Sequence, residues 1–145
     1  MGADLLIANF LRVAREDLDG AKQLAAVRNR NADYLCEQAA KKIILAVLTS
    51  EGIHGGIKHD LDQLVVKLPD VNRVKLALHE VTHLSKFATA YRYPTPQGRI
   101  LAQLEPAQLT ETIGRVERLL IEISNAFGVD LASANTPAKT PGPIR

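Results

Sequence analysis

A chain of 145 residues is the size of one domain and long enough to bury on the order of two-thirds of its unfolded surface around a single core. Apolar residues make up 46% and charged residues 23%, which excludes a disordered or collagen-like chain. With 18 basic and 16 acidic residues the net charge is +2, which by itself argues for neither a nucleic acid nor a membrane surface.

No segment alternates with period two between turn residues, whereas apolar residues three and four apart recur in four long segments. The pattern predicts helices only. Asp4 is placed to cap a first helix running to about Val27, with Phe10 or Leu11, Ala14, Leu18, Ala21 and Ala25 inward. Asn31 is placed to cap a second, whose stripe of Leu35, Ala39, Ile43, Ala46 and Val47 ends near Gly52. Gly52-Ile53-His54-Gly55-Gly56 then reads as a mobile loop.

A short third helix is predicted from about His59 to Leu68. Pro69-Asp70 ends it and starts a fourth, long helix from Val71 to about Tyr91, with Val74, Ala77 or Leu78, Val81, Leu84 and Ala88 inward. Two prolines and a glycine make Tyr93–Gly98 a loop. Pro106 suits the first turn of a final helix that carries Leu109, Ile113, Val116, Leu120, Ile123 and Phe127 inward and closes at Gly128. Residues 132–145 hold three prolines and little to bury, and read as a disordered tail. The expected fold is all-α: an antiparallel four-helix up-down bundle with one additional short helix, a single domain over residues 1–131 followed by the tail.

The single Cys36 excludes an intrachain disulfide and a cysteine-rich metal site. No apolar run reaches about 18 residues, and Asp4 stands where a signal peptide would carry positive charge, so a cytoplasmic protein without membrane partner is expected. No cofactor is called for.

Five groupings bear on chemistry. His79-Glu80-Val81-Thr82-His83 matches H-E-x-x-H, which on a helix puts two imidazoles on one side with a glutamate beside a metal-bound water. No third ligand follows in a recognisable motif, so a zinc hydrolase is the remote alternative and no metal ligand is assigned. On the same helix Leu76, His79, His83 and Phe87 fall opposite Val74, Leu78 and Val81, a second apolar stripe suited to a subunit interface or to contact with the last helix.

Arg73 and His79 pair a guanidinium for phosphate with an imidazole for proton transfer, a combination that suits RNA cleavage. On one straight helix the two diverge by about 120°, so they would converge on a phosphate only with help from a bend or a second subunit. Arg92, in Tyr91-Arg92-Tyr93-Pro94, sits between two rings that could stack with it or with a base, or could pack on the bundle. Lys41-Lys42, with Arg28 and Arg30 upstream, forms a modest basic region that a solvated face also explains. His59-Asp60 reads first as a helix cap.

In order and spacing these landmarks resemble the HEPN family, the higher eukaryote and prokaryote nucleotide-binding domain, from about Leu11 to Pro94. The resemblance is carried by Ala14-Arg15-Glu16-Asp17-Leu18 with Ala21 and Leu24, and by Gln38-Ala39-Ala40 with Lys42 and Ala46. It continues in His59-Asp60-Leu61 with Leu64 and in Arg92-Tyr93-Pro94. Lys41 stands where a glutamate is common, and Leu45 where a second lysine is.

The resemblance implies a dimerising helical bundle, often encoded beside a minimal nucleotidyltransferase and acting in toxin–antitoxin or defence systems. Ribonuclease members carry an arginine, usually followed by a polar residue, then a histidine four to six positions on, with the pairs of two subunits meeting at the dimer cleft. Here Val74 follows Arg73, and no histidine follows Arg92. The leading expectation is a homodimeric, non-catalytic module that binds nucleotide or RNA and works with a minimal nucleotidyltransferase. In it Lys42 and Arg92 supply charge to phosphate, His59 a hydrogen bond and Tyr93 a stacking face. The alternative is a metal-independent ribonuclease using Arg73 and His79 from both subunits.

Overall fold

Three long amphipathic segments become the three long helices of the molecule: α1 (Gly2–Ala26), α2 (Asn31–Ser50) and α5 (Pro106–Phe127). Two single-turn helices, α3 (Leu61–Val65) and α4 (Lys75–His79), and two 3₁₀ turns, Thr82–Phe87 and Ala90–Arg92, lie between the second and third of them. The structure is a computed structural model describing residues 2–56, 60–88 and 90–145, and no strand occurs among the described residues.

α1 starts at Gly2, so Asp4 lies inside the first turn and does not cap it from outside. Arg30 takes the N-cap position of α2, and Asn31 is its first residue, its N–H donating to the side chain of Asn29. The expected inner positions Leu11, Ala14, Leu18 and Ala21 are fully buried, as are Ala39, Ile43, Ala46 and Val47, while Phe10, Ala25 and Leu35 are half-buried. The short turn between α1 and α2 makes them an antiparallel hairpin, tied midway by Lys42 and Asp17. α5 lies antiparallel to α1, with Lys22 paired to Glu117. Its six predicted core residues are all buried. Glu105 and Gln108 form a capping box at its start.

Gly128 closes α5 in the left-handed conformation, φ 64°, where a side chain would also meet Lys139. Asp60 caps α3, with Gln63 returning a hydrogen bond to its N–H at 3.0 Å. His59 lies outside the described residues.

The long fourth helix is the main correction. Over residues 71–92 the chain makes a turn, α4 and two 3₁₀ turns. The cause is legible in the burial: Leu78, Val81, Leu84 and Phe87 are all buried, spaced by three, which is the period of a 3₁₀ winding. Phe87 therefore faces the core, Ala88 is only half-buried and Leu76 is 84% exposed, so the second apolar stripe expected across Leu76, His79, His83 and Phe87 does not form. Ahead of α4, the buried Asn72 side chain accepts from the N–H of Val74 and donates to Glu51, competing with helix formation there. The bundle is thus three long helices and a wound connection, and not four.

Residues 132–145, read as disordered, run back over the bundle. Ala138 donates its N–H to the carbonyl of Asp4, Thr140 to that of Phe127, and the chain ends with Ile144 buried and Arg145 forked onto Glu51. Arg12, itself buried, donates to the carbonyl oxygens of Asp130 and Thr136. Few apolar groups suffice because backbone hydrogen bonds to helix ends supply the rest.

Cys36 is fully buried in the hairpin, and burial pushes its thiol up to about 12. No helix of the described residues is long and apolar enough to cross a membrane.

Candidate functional site

On α2, Tyr34, Glu37, Gln38 and Lys41 recur at i, i+3, i+4 and i+7, one face of the helix. The Ala90–Arg92 turn brings its last residue onto that face: the Arg92 guanidinium lies over the Tyr34 ring, 4.2 Å from the centroid, and 5.5 Å from that of Tyr93. Tyr91, on the same turn, stands edge-on to the buried Phe87 at 4.8 Å. One ring of the three is thus anchored in the core, while Arg92 and Tyr93 remain open to solvent, Tyr93 64% exposed.

Beside this stack lies a buried acid. Glu37 is 2% exposed and burial pushes its carboxyl above the usual carboxylate range, while the Gln38 amide at 2.6 Å and the charges of Lys41, Lys42 and Arg92 pull it back. Three cations thus surround one carboxyl whose own ionisation is disfavoured. The arrangement presents positive charge, a planar guanidinium and an exposed ring together, the donor set that a phosphate and an unstacked base require.

A hollow lined by Arg30, Tyr91, Arg92, Tyr93, Pro94 and Ile100 opens beside the stack. Arg30 donates from one nitrogen to the carbonyls of Tyr91 and Leu101, at 3.1 and 2.8 Å.

The sequence-derived residues divide. Arg92 and Tyr93 come together, while Lys42 acts on Glu37 only through its charge, its ammonium being paired to Asp17 of α1. Arg73 lies apart, facing Glu122 of α5 at 3.5 Å, with its N–H donating to the carbonyl of Ile144. His79, exposed, ends α4. His83 lies beyond that helix end and its Nδ1 contacts the carbonyl of Glu80, so the H-E-x-x-H residues do not share one face of a continuous helix. Among the described residues no group of three or more His, Cys, Asp or Glu is placed to hold a metal ion.

Sequence reasoning missed Tyr34 and Glu37. Their spacing from Gln38 and Lys41 was the available signal, but only the folded chain shows that Arg92 closes on them.

An all-helical module with a cation–aromatic face on its second helix is what fold and site define. The family model of the HEPN domain matches residues 7–125, so the chain belongs to the HEPN family. No curated protein and no solved structure matches it significantly.

Proposed function

We propose that this HEPN domain binds nucleotide or RNA through the face formed by Tyr34, Lys41, Lys42, Arg92 and Tyr93, without catalysing a reaction itself. The observation that carries the reading is Arg92 stacked on Tyr34 with Tyr93 exposed beside it. A guanidinium held flat by a ring keeps its edge for phosphate, and an exposed tyrosine offers its face to a base. His59, the remaining binding residue of the sequence reading, belongs to this proposal on sequence alone. A minimal nucleotidyltransferase, in a toxin–antitoxin or defence setting in the cytoplasm, is the partner that suits a module holding nucleotide without acting on it.

Binding of mononucleotides and a short single-stranded RNA over a salt series tests the reading. Affinity that falls as salt rises is expected, and no binding at the lowest salt overturns it.

A second reading rests on a different surface. Val71 and Leu76, in the same segment as Arg73 and His79, expose large apolar side chains, as a homodimer seam would. A seam there would let Arg73 and His79 of two subunits meet as a metal-independent ribonuclease.

A further inference from the structure

The segment carrying Arg92 and Tyr93 leaves the core at Tyr91 and regains helix only at Pro106. A stacking face on so long an irregular segment loses its geometry unless the segment is tied down, because every free torsion adds entropy that binding must remove. The ties come from the turn between α1 and α2 and from the first turn of α2 that follows it. Arg30 holds the outgoing limb at the Tyr91 carbonyl and the returning limb at the Leu101 carbonyl with the same nitrogen. Gln103 donates its amide to the carbonyl of Arg28 at 3.0 Å, and Leu104 donates its N–H to the buried carboxylate of Asp33 at 3.0 Å.

Arg28 itself sits at φ 57°, a left-handed conformation that non-glycine residues rarely adopt and that aims its carbonyl at Gln103. Strain, a two-ended bond and a buried carboxylate thus converge on the base of one excursion.

We infer that the α1–α2 turn is a clasp that fixes the Arg92–Tyr93 stacking face for its ligand, with Arg30 as the positioning residue; the inference rests on the reading of that face as a nucleotide- or RNA-binding site. Arg30 acts through the backbone of Tyr91 and Leu101 and need not touch phosphate.

The chain supplies its own local reporter. It has three tyrosines and no tryptophan, and Tyr34, Tyr91 and Tyr93 all belong to the stack or its anchor. The near-ultraviolet circular dichroism of tyrosine therefore reads this face, while the far-ultraviolet signal reads the helices.

The test combines that signal with binding of a labelled oligouridylate of about ten nucleotides. Arg30→Ala is expected to weaken binding roughly tenfold and to shift the tyrosine band, with the helical signal and the dependence of log K on log salt unchanged, because no phosphate contact is lost. Arg30→Lys, whose ammonium has three donors for the two carbonyls, should restore most of both. Arg92→Ala serves as the contrast, lowering the salt slope by about 0.7.

A salt slope that drops equally in Arg30→Ala makes Arg30 a phosphate contact and overturns the clasp, as does unchanged affinity with an unchanged tyrosine band. Should Arg30→Ala fail to fold, Gln103→Ala, which cuts the second tie from a side chain that bonds only the backbone of Arg28, is held to the same two readouts. Wild-type protein that binds no RNA overturns the reading of the site instead; the clasp is then decided by whether Arg30→Ala shifts the tyrosine band.

Discussion

Arg145 grips Glu51 with both of its terminal nitrogens, 2.6 Å to Oε2 and 3.0 Å to Oε1, joining the last residue of the chain to the C-terminal end of α2. Asn72 donates to the same carboxylate at 2.7 Å, so the end of the chain and the turn before α4 are fixed to one acid. Together the two donors hold the Glu51 carboxyl below its ordinary range. A carboxyl held low contributes stability that is present above its ordinary titration range and lost as pH falls through the lowered one. Glu51→Gln is expected to flatten the acid side of the stability curve, read as urea midpoint against pH.

Ile144 is buried beside that grip, and its carbonyl accepts the N–H of Arg73. Ile144→Ala should cost about 2 kcal/mol in urea unfolding, through lost burial alone. Ends that were truly loose would show no change.

Glu37 behaves oppositely to Glu51. Burial raises its carboxyl, so its contribution to stability is in place below the ordinary range and is lost as pH climbs through the raised one. Glu37→Gln is expected to remove that loss. Above that raised range it also takes a negative charge from beside Lys41, Lys42 and Arg92, and should strengthen RNA binding at low salt.

Arg92→Ala should weaken binding of single-stranded RNA about tenfold by removing both the charge and the stack on Tyr34. Lys42→Ala should weaken it less and lower the unfolding midpoint more, since that ammonium already serves Asp17 in the hairpin. Fluorescence anisotropy and thermal unfolding on the same preparations separate the two effects.

The exposed Val71 and Leu76 are expected to lie in a homodimer seam. Leu76→Glu should shift the molar mass in light scattering from dimer to monomer. RNA left intact by the wild-type protein and by His79→Ala alike is the outcome that fits a non-catalytic domain; cleavage lost in His79→Ala would establish the ribonuclease.

The long helices were readable because burial there follows one regular period: in α5 the spacing of Leu109, Ile113, Val116, Leu120, Ile123 and Phe127 admits little else. Between Val71 and Arg92 the apolar residues fit two windings, and only the burial of Phe87 in place of Ala88 reveals the tighter one. The tail misled for another reason, since its order rests on backbone groups and on Arg12 and Glu51, which no composition registers. Of the site, Arg92 and Tyr93 were visible as a helix break between rings. Tyr34 and Glu37 were not, because their meeting with Arg92 joins segments far apart in the chain.

The lone thiol inside the hairpin turns that packing into a timer. Sealed from reagents and held protonated at neutral pH, Cys36 can react with an alkylating agent only in molecules whose first two helices have parted. The rate at which mass is added to the intact chain therefore counts those partings, with no dye or engineered label.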